Sequence, residues 1–284
     1  MSRLRSAAVL SALTLITLPM IPVQWLAMRI PGGLKRRLPV VWHRIACALV
    51  GIRVHEAGRA SVERPLLITA NHVSWLDITV LGSRMPLSFV AKSEVASWPV
   101  FGLFAKLQRS VFVDRQRRSA TARTASELGA RLADGDAMVL FAEGTSNSGN
   151  EVLPFRSALI GAARHAVADE GEDVWIQPLA LAYTGLHGLP MGRQFRAHVA
   201  WYGDMEMIPH FMNVVRKGAV DVTVVWGPPL RVAPGDDRKA LTRRLEMTVR
   251  EMAGRARAGR EPPPVTDESD SAADAAILKP SKNG

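Results

Sequence analysis

The sequence predicts an α/β fold: a mixed central sheet covered by helices on both faces, preceded by an N-terminal hydrophobic membrane-anchoring helix or helical hairpin. Three observations carry that expectation. From residue 52 onward, apolar runs of strand length alternate with longer segments of helical period, the pattern of a sheet covered by helices. Ala7 to Met28 contains no charged residue. Beyond about Gly254 the apolar period stops and Arg, Pro, Ala, Asp and Ser dominate, a composition that predicts disorder. The expected organisation is an anchor over 1–51, an α/β domain over 52–253 and a disordered tail over 254–284.

As a helix, Ala7 to Met28 would be about 33 Å long, enough to cross a hydrocarbon core. Arg3 and Arg5 precede it, and Arg29, Lys35, Arg36 and Arg37 follow. A signal peptide shares the basic start, but no small-x-small cleavage site closes this run. Pro19 and Pro22 each remove a helix donor and favour a kink or break. The run is therefore expected either to span or to re-enter, with a second helix at about Leu34–Gly51. If it spans, the heavier basic flank places the C-terminal side in the cytoplasm, at the inner membrane.

In the α/β region, strands are expected at Leu66–Ala70, Ser88–Lys92, Ser110–Asp114, Ala137–Ala142, Val174–Tyr183, His198–Tyr202 and Asp221–Trp226. Helices are expected at Trp75–Arg84, Pro99–Leu107, Ser119–Ala133, Ser157–Asp169 and Asp237–Met252.

Composition narrows the function. The 284 residues are 48% hydrophobic, ample for a sizeable core. Of the net charge of +10, residues 1–64 hold ten Lys/Arg against two acids. A basic segment beside an apolar one points to anionic lipid. Nucleic acid usually calls for basic residues interleaved with aromatics, or a known motif, and neither is present. The single cysteine, Cys47, excludes an intrachain disulfide and reads as a small buried hydrophobe. Cys and His show no metal-ligand spacing, and neither a metal nor a cofactor is expected.

Chemistry concentrates in Asn71-His72-Val73-Ser74-Trp75-Leu76-Asp77, which follows the apolar run Pro65–Ala70. If both were helical, His72 and Asp77 would be roughly 140° apart and could not meet. They meet if His72 lies in a strand-to-helix turn and Asp77 in the first turns of the helix. An acid that fixes a His tautomer and stabilises the imidazolium is part of the acyl-transfer triad, and an acceptor hydroxyl can supply the nucleophile. The plainer alternative is a structural His, with Ser74 as a helix N-cap.

The stretch resembles the Asn-His-x-Ser-x-x-Asp signature of the glycerolipid acyltransferases, the lysophosphatidic acid acyltransferase family. Further blocks share the resemblance, which covers roughly Pro39 to Pro229. In Arg109-Ser110-Val111-Phe112-Val113-Asp114-Arg115, the family likeness implies that Arg115 helps bind the acceptor's polar head. Phe89-Val90-Ala91-Lys92 matches a segment whose Lys faces that head. In Phe141-Ala142-Glu143-Gly144-Thr145-Ser146, Glu143 either accepts hydrogen bonds from a polyol or orders the turn, Gly144 permits close backbone approach, and backbone N–H groups can face an oxyanion. Ile176–Leu181 resembles the family's Val-Pro-Val strand. Trp98–Phe104 is an aromatic, apolar patch that lines an acyl channel, touches the membrane or packs in the core.

The Phe141–Ser146 block departs from the family pattern. Ala142 stands for the usual Pro, and Ser146 for an Arg expected to contact phosphate. The wording around Gly144–Ser157 looks more like the subgroup that acylates lyso-ornithine lipid, although Arg156 is a candidate substitute for the missing Arg. The resemblance implies a membrane-associated O-acyltransferase of phospholipid or ornithine lipid biosynthesis. Its donor is a thioester of acyl carrier protein or coenzyme A. Its acceptor is lyso-ornithine lipid and/or 1-acyl-sn-glycerol 3-phosphate, the latter giving phosphatidic acid. His72 and Asp77 would be catalytic; Asn71, Ser74, Lys92, Arg115, Glu143, Gly144 and Thr145 would bind substrate. Two rivals stay open: a lipid hydrolase with Ser74 as nucleophile, against which stands the lack of a Gly-x-Ser-x-Gly elbow, and a non-catalytic lipid-binding relative.

Overall fold

The structure, a computed structural model, describes residues 2–113, 118–158, 160–161, 174–233 and 235–260; of residues 2 and 118–125 it describes the backbone alone. Two helices come first, α1 (Ser2–Ala27) and α2 (Leu34–Val50). The α/β domain follows with β1 (Ile52–Ala57), β2 (Leu66–Ala70), α3 (Leu76–Gly82), β3 (Ser88–Lys92), α4 (Phe101–Leu107), β4 (Val111–Val113), α5 (Arg118–Ala133) and β5 (Ala137–Phe141). It continues with β6 (Val174–Leu186), β7 (Leu189–Pro190), α6 (Met207–Lys217), β8 (Val220–Trp226), β9 (Leu230–Val232) and α7 (Arg238–Arg257).

Among the described residues the strands form one sheet in the order β1-β8-β6-β2-β5-β3-β4, with β7 and β9 pairing to β6. Strands β6, β2, β5, β3 and β4 run parallel, while β8 lies antiparallel to β6 and carries β1 parallel to itself, so the sheet is mixed. Strand β2 lies at the centre and every one of its residues is buried. That explains its unbroken apolar run, since a strand covered on both faces has no polar side to alternate. One core cluster gathers Leu66, Ile68, Leu76 and Leu81 on one face; the other gathers Leu67, Met138, Leu245 and Val249 beneath α5 and α7.

Strand β5 is inserted between β2 and β3. The carboxyl ends of β2, β5 and β3 therefore come together on one edge of the sheet. Ligands of open α/β sheets bind outside that edge.

Several elements differ from expectation. His198–Tyr202 is not a strand. A 3₁₀ turn covers Arg193–His198, and the segment after it is joined to the His72 turn by the backbone bond from Trp201 N–H to Val73 O at 2.9 Å. Helix α6 falls between the expected elements; Pro209 lies in its first turn, where a missing N–H costs nothing. Strand β1 was missed because it is a polar edge strand, with Arg53, His55 and Glu56 interrupting its apolar pattern. Helix α7 continues through Arg257, past the expected boundary at 253, because Ala253 and Ala256 are still buried. Most of the helix expected at Ser157–Asp169 lies outside the described residues, as does the tail from 261.

Pro19 and Pro22 do not break α1. Near its start, Arg5 donates to Val215 O in the last turn of α6 and to Val50 O in the last turn of α2. One guanidinium thus satisfies carbonyls at two helix C-termini, where positive charge is favoured. Near its far end, Gln24 donates to Lys35 O at 3.0 Å and to Leu107 O at 2.8 Å. About 28 Å of helix separates these two tethers. Held at both ends, α1 lies along the domain as the outer half of a hairpin with α2, and most of its apolar surface stays exposed.

Candidate active site

Strand β2 ends at Ala70, and the next seven residues turn into α3. His72 sits in that turn and Asp77 in the first turn of α3. His72 Nδ1 lies 2.8 Å from Asp77 Oδ2. The same oxygen accepts Val73 N–H at 2.7 Å and Ser74 N–H at 3.0 Å. Asp77 Oδ1 accepts the Tyr183 hydroxyl of β6 at 2.7 Å. Asp77 is fully buried, so these donors replace the water it has lost. Burial and the neighbouring Asp77 push the Tyr183 hydroxyl well above the usual phenol range, so it stays a donor. Sequence inspection did not single out Tyr183; its place at the end of the expected strand Val174–Tyr183 was the available signal.

With Nδ1 held by Asp77, Nε2 is the nitrogen left for chemistry. The imidazole stacks on Phe141 at 4.0 Å between centroids and 14° between planes. Its backbone N–H donates to Glu143 Oε1 at 3.0 Å. Both ring and backbone of His72 are thus positioned by β5 and the turn after it.

Glu143 is buried too. Its Oε2 accepts the Asn147 side chain and Leu153 N–H, so its carboxylate holds together the His72 turn and the 147–153 loop. Burial pushes its carboxyl up to about 7 despite these three donors. Of the two roles left open for it, the structure shows ordering of the turn. Gly144 takes φ +76° and its N–H donates to Phe141 O at 3.0 Å, closing that turn.

A largely apolar cavity of about 1020 Å³ reaches His72. Its walls come from α1 (Leu13, Ile21), α2 (Trp42), α4 (Phe104) and the sheet edge (Phe89, Phe141). Lys92, Gly144, Thr145 and Ser146 also line it. Lys92 and Glu94 are the Lys, Arg, Asp or Glu side chains among the described lining residues. The Trp98–Phe104 patch contributes Trp98, Val100, Phe101, Leu103 and Phe104 to the wall.

The remaining expected site residues fall elsewhere. Asn71 is fully buried, and its amide donates to Leu181 O and accepts Leu181 N–H, bridging β2 to β6. Both ends of that amide are occupied by backbone, so the substrate contact expected of it is replaced by a structural bond. Ser74 is also fully buried and is not part of the cavity wall; its Oγ has no partner among the described residues. Nor does it cap α3, whose N-cap residue is Trp75 and whose first turn has no side-chain cap. Arg115 lies outside the described residues. Arg156 donates from Nε to Glu143 O at 3.2 Å and does not line the cavity. Cys47 is buried in α2.

Comparison with known proteins identifies the family. Residues 51–182 match the acyltransferase domain family. A lyso-ornithine lipid O-acyltransferase of Brucella abortus is 49% identical over 92% of this chain and 98% of its own length. Another, from Rhizobium meliloti, is 45% identical over 84% of this chain and 82% of its own length. The crystal structure of the 1-acyl-sn-glycerophosphate acyltransferase PlsC from Thermotoga maritima shares the fold, with a TM-score of 0.61 at 19% identity, over 91% of this chain and 98% of that one. A turn that presents a His–Asp pair to an apolar cavity, and relatives of this identity along nearly the whole chain, place the protein in the glycerolipid acyltransferase family as an acyltransferase.

Proposed function

We propose that the protein acylates the free hydroxyl of a lysolipid, with lyso-ornithine lipid as acceptor and an acyl carrier protein or coenzyme A thioester as donor, at the cytoplasmic face of the inner membrane. The carrying observation is His72, held by Asp77 at 2.8 Å, on the wall of the apolar cavity. His72 Nε2 takes the hydroxyl proton as the oxygen attacks the thioester carbonyl. The tetrahedral intermediate collapses, the C–S bond breaks, and His72 returns the proton to the departing thiolate. Asp77 stabilises the imidazolium in between. Because Gly144 N–H closes its own turn, the N–H groups of Thr145 and Ser146, the next two residues on the cavity wall, are the donors assigned to the oxyanion. General-base action supplies about 10²–10⁴ in rate; the cavity supplies the rest by holding the hydroxyl against the thioester.

Lys92 and Glu94 support the choice of acceptor. A pair of opposite charges suits a head group with a carboxylate and an ammonium, as ornithine has. A phosphate monoester calls for several charge-assisted donors, and Ser146 stands where phosphate-handling relatives carry an Arg. The exposed apolar length of α1 and the basic residues Arg29, Lys35 and Arg37 after it support seating the hairpin in the cytoplasmic leaflet. The buried position of Ser74, off the cavity wall, argues against a hydrolase built on its hydroxyl.

The test is a thioester assay with the full-length protein in lipid vesicles, offering lyso-ornithine lipid and lysophosphatidate side by side. Each is paired in turn with acyl carrier protein and coenzyme A donors. Equal or faster turnover of lyso-ornithine lipid is expected. A strong preference for lysophosphatidate would overturn the acceptor assignment.

A further inference from the structure

We propose that the rim of the cavity, built from residues 98–103 and 201–208, is a second lipid-contacting surface that enters the same leaflet as the α1–α2 hairpin, so that lysolipid passes sideways from the bilayer to His72. The proposal rests on the membrane reading above and extends it to a part of the catalytic domain.

Four apolar or aromatic side chains on this rim are exposed: Val100 at 59%, Leu103 at 43%, Tyr202 at 38% and Ile208 at 64%. They come from segments far apart in sequence, yet all four line the cavity that holds His72. Leu18 of α1, also exposed, lines it too, and α1 packs against both α4 and α6. Exposed apolar side chains of the hairpin and of the rim therefore border the same opening. A contiguous exposed apolar surface around an opening marks a contact with something apolar.

Val100 adds an independent observation. It sits at φ +62°, immediately before α4. A β-branched residue at positive φ is strained. Here the strained backbone holds an apolar side chain outward. Water offers nothing in return for that exposure, whereas a hydrocarbon phase rewards it.

The rim is wired to the catalytic turn. Trp201 N–H donates to Val73 O at 2.9 Å, and Trp75 Nε1–H donates to His210 Nδ1 of α6 at 3.0 Å. Trp98 meets Trp201 edge-on at 6.0 Å and joins the two rim segments. Acids Asp204 and Glu206 lie among the exposed rim residues. The contact is accordingly apolar in origin and needs no anionic lipid.

The occupant is thus a lipid bilayer, and depth-dependent quenching tests it. In a full-length Cys47→Ala background, single variants Leu18→Cys, Val100→Cys, Tyr202→Cys, Ile208→Cys and Val62→Cys each carry an environment-sensitive fluorophore. Val62 is 88% exposed and precedes β2, on the opposite edge of the sheet from His72. The vesicles are phosphatidylcholine with bromine on the acyl chains. Quenching at positions 202 and 208 comparable to that at 18, with none at 62 and no relief by high salt, is the expected result. Position 100 should behave likewise; Tyr202 and Ile208 decide the matter if that variant does not fold. Quenching at 18 with none at 202 and 208 overturns the proposal and leaves the hairpin as the sole membrane contact. Absence of quenching at 18 as well would overturn the membrane reading itself. Equal quenching at 62 would show indiscriminate adsorption and also overturns it.

Discussion

Asp77 and Glu143 are both buried carboxylates at the carboxyl edge of the sheet, and both accept hydrogen bonds from the turn that carries His72. Asp77 touches the ring: it receives His72 Nδ1, two backbone N–H groups and the Tyr183 hydroxyl. Glu143 touches the backbone: it receives the His72 N–H and two donors from the 147–153 loop. On the proposed mechanism, one carboxylate fixes the tautomer of the base, whereas the other holds its backbone and folds the turn after β5. The division separates what their loss should do.

The largest effect is expected at the ring. Asp77→Asn puts an amide NH₂ among four donors and removes control of the tautomer. A rate loss of up to about 10⁴ is expected, by analogy with the Ser-His-Asp triad. His72→Ala should lose at least as much, with circular dichroism showing a retained fold. A loss below about tenfold in Asp77→Asn would mean that Asp77 orders the turn as Glu143 does, and the distinction between the two acids would collapse.

Glu143→Gln should act chiefly on stability, and with pH. Burial raises the Glu143 carboxyl from 4.5 to about 7. For an acid raised in the folded state, stability is fully present below the unfolded value and is lost as pH climbs through the folded one. Relative to Glu143→Gln, which cannot ionise, the wild type should therefore lose on the order of 3 kcal/mol between about pH 4.5 and pH 7.5. Denaturant melts at these two pH values measure it. A gap independent of pH would show that the carboxylate charge is fully compensated by its three donors.

Smaller again is the expected effect on the cavity face of the Glu143 turn. Ser146→Arg introduces the cation that the family resemblance implies for binding phosphate. One charge-assisted hydrogen bond is worth about 1.5–3 kcal/mol, or roughly ten- to a hundredfold in selectivity toward lysophosphatidate. Competition between the two lysolipids reads it directly. No shift in preference would mean that position 146 does not read the head group.

The smallest change is expected from Ser74→Ala. The hydroxyl is buried and has no partner among the described residues, so its removal should leave rate and stability near wild type. Near-total loss of turnover would instead revive the hydrolase reading.

Much of the fold was legible in the sequence, because burial on two faces writes itself into composition. Leu66–Ala70 and Ala137–Phe141 are continuous apolar runs for that reason. The contact of His72 with Asp77 was legible as well, since their spacing allows it if His72 lies in a turn and Asp77 in the first turn of a helix. Elements whose reasons lie in other parts of the chain were not legible. Strand β1 exists because β8 pairs with it, and its own residues are too polar to announce it. Helix α6 takes its place from Arg5, the packing of α1 and the bond between His210 and Trp75.

Whether the N-terminal run spans or re-enters was likewise beyond the sequence. Length and hydropathy allow both; the contacts add that Arg5 and Gln24, nineteen positions apart by number, both reach backbone carbonyls of the α/β domain. The roles of Asn71, Ser74 and Tyr183 depended on long-range neighbours in the same way. Asn71 and Tyr183 meet partners 110 and 106 residues away. Local sequence determined where the base and its acid stand. Tertiary structure alone decided which polar groups were consumed in holding them there, because a hydrogen bond is assigned by proximity in space, and sequence separation carries no record of it.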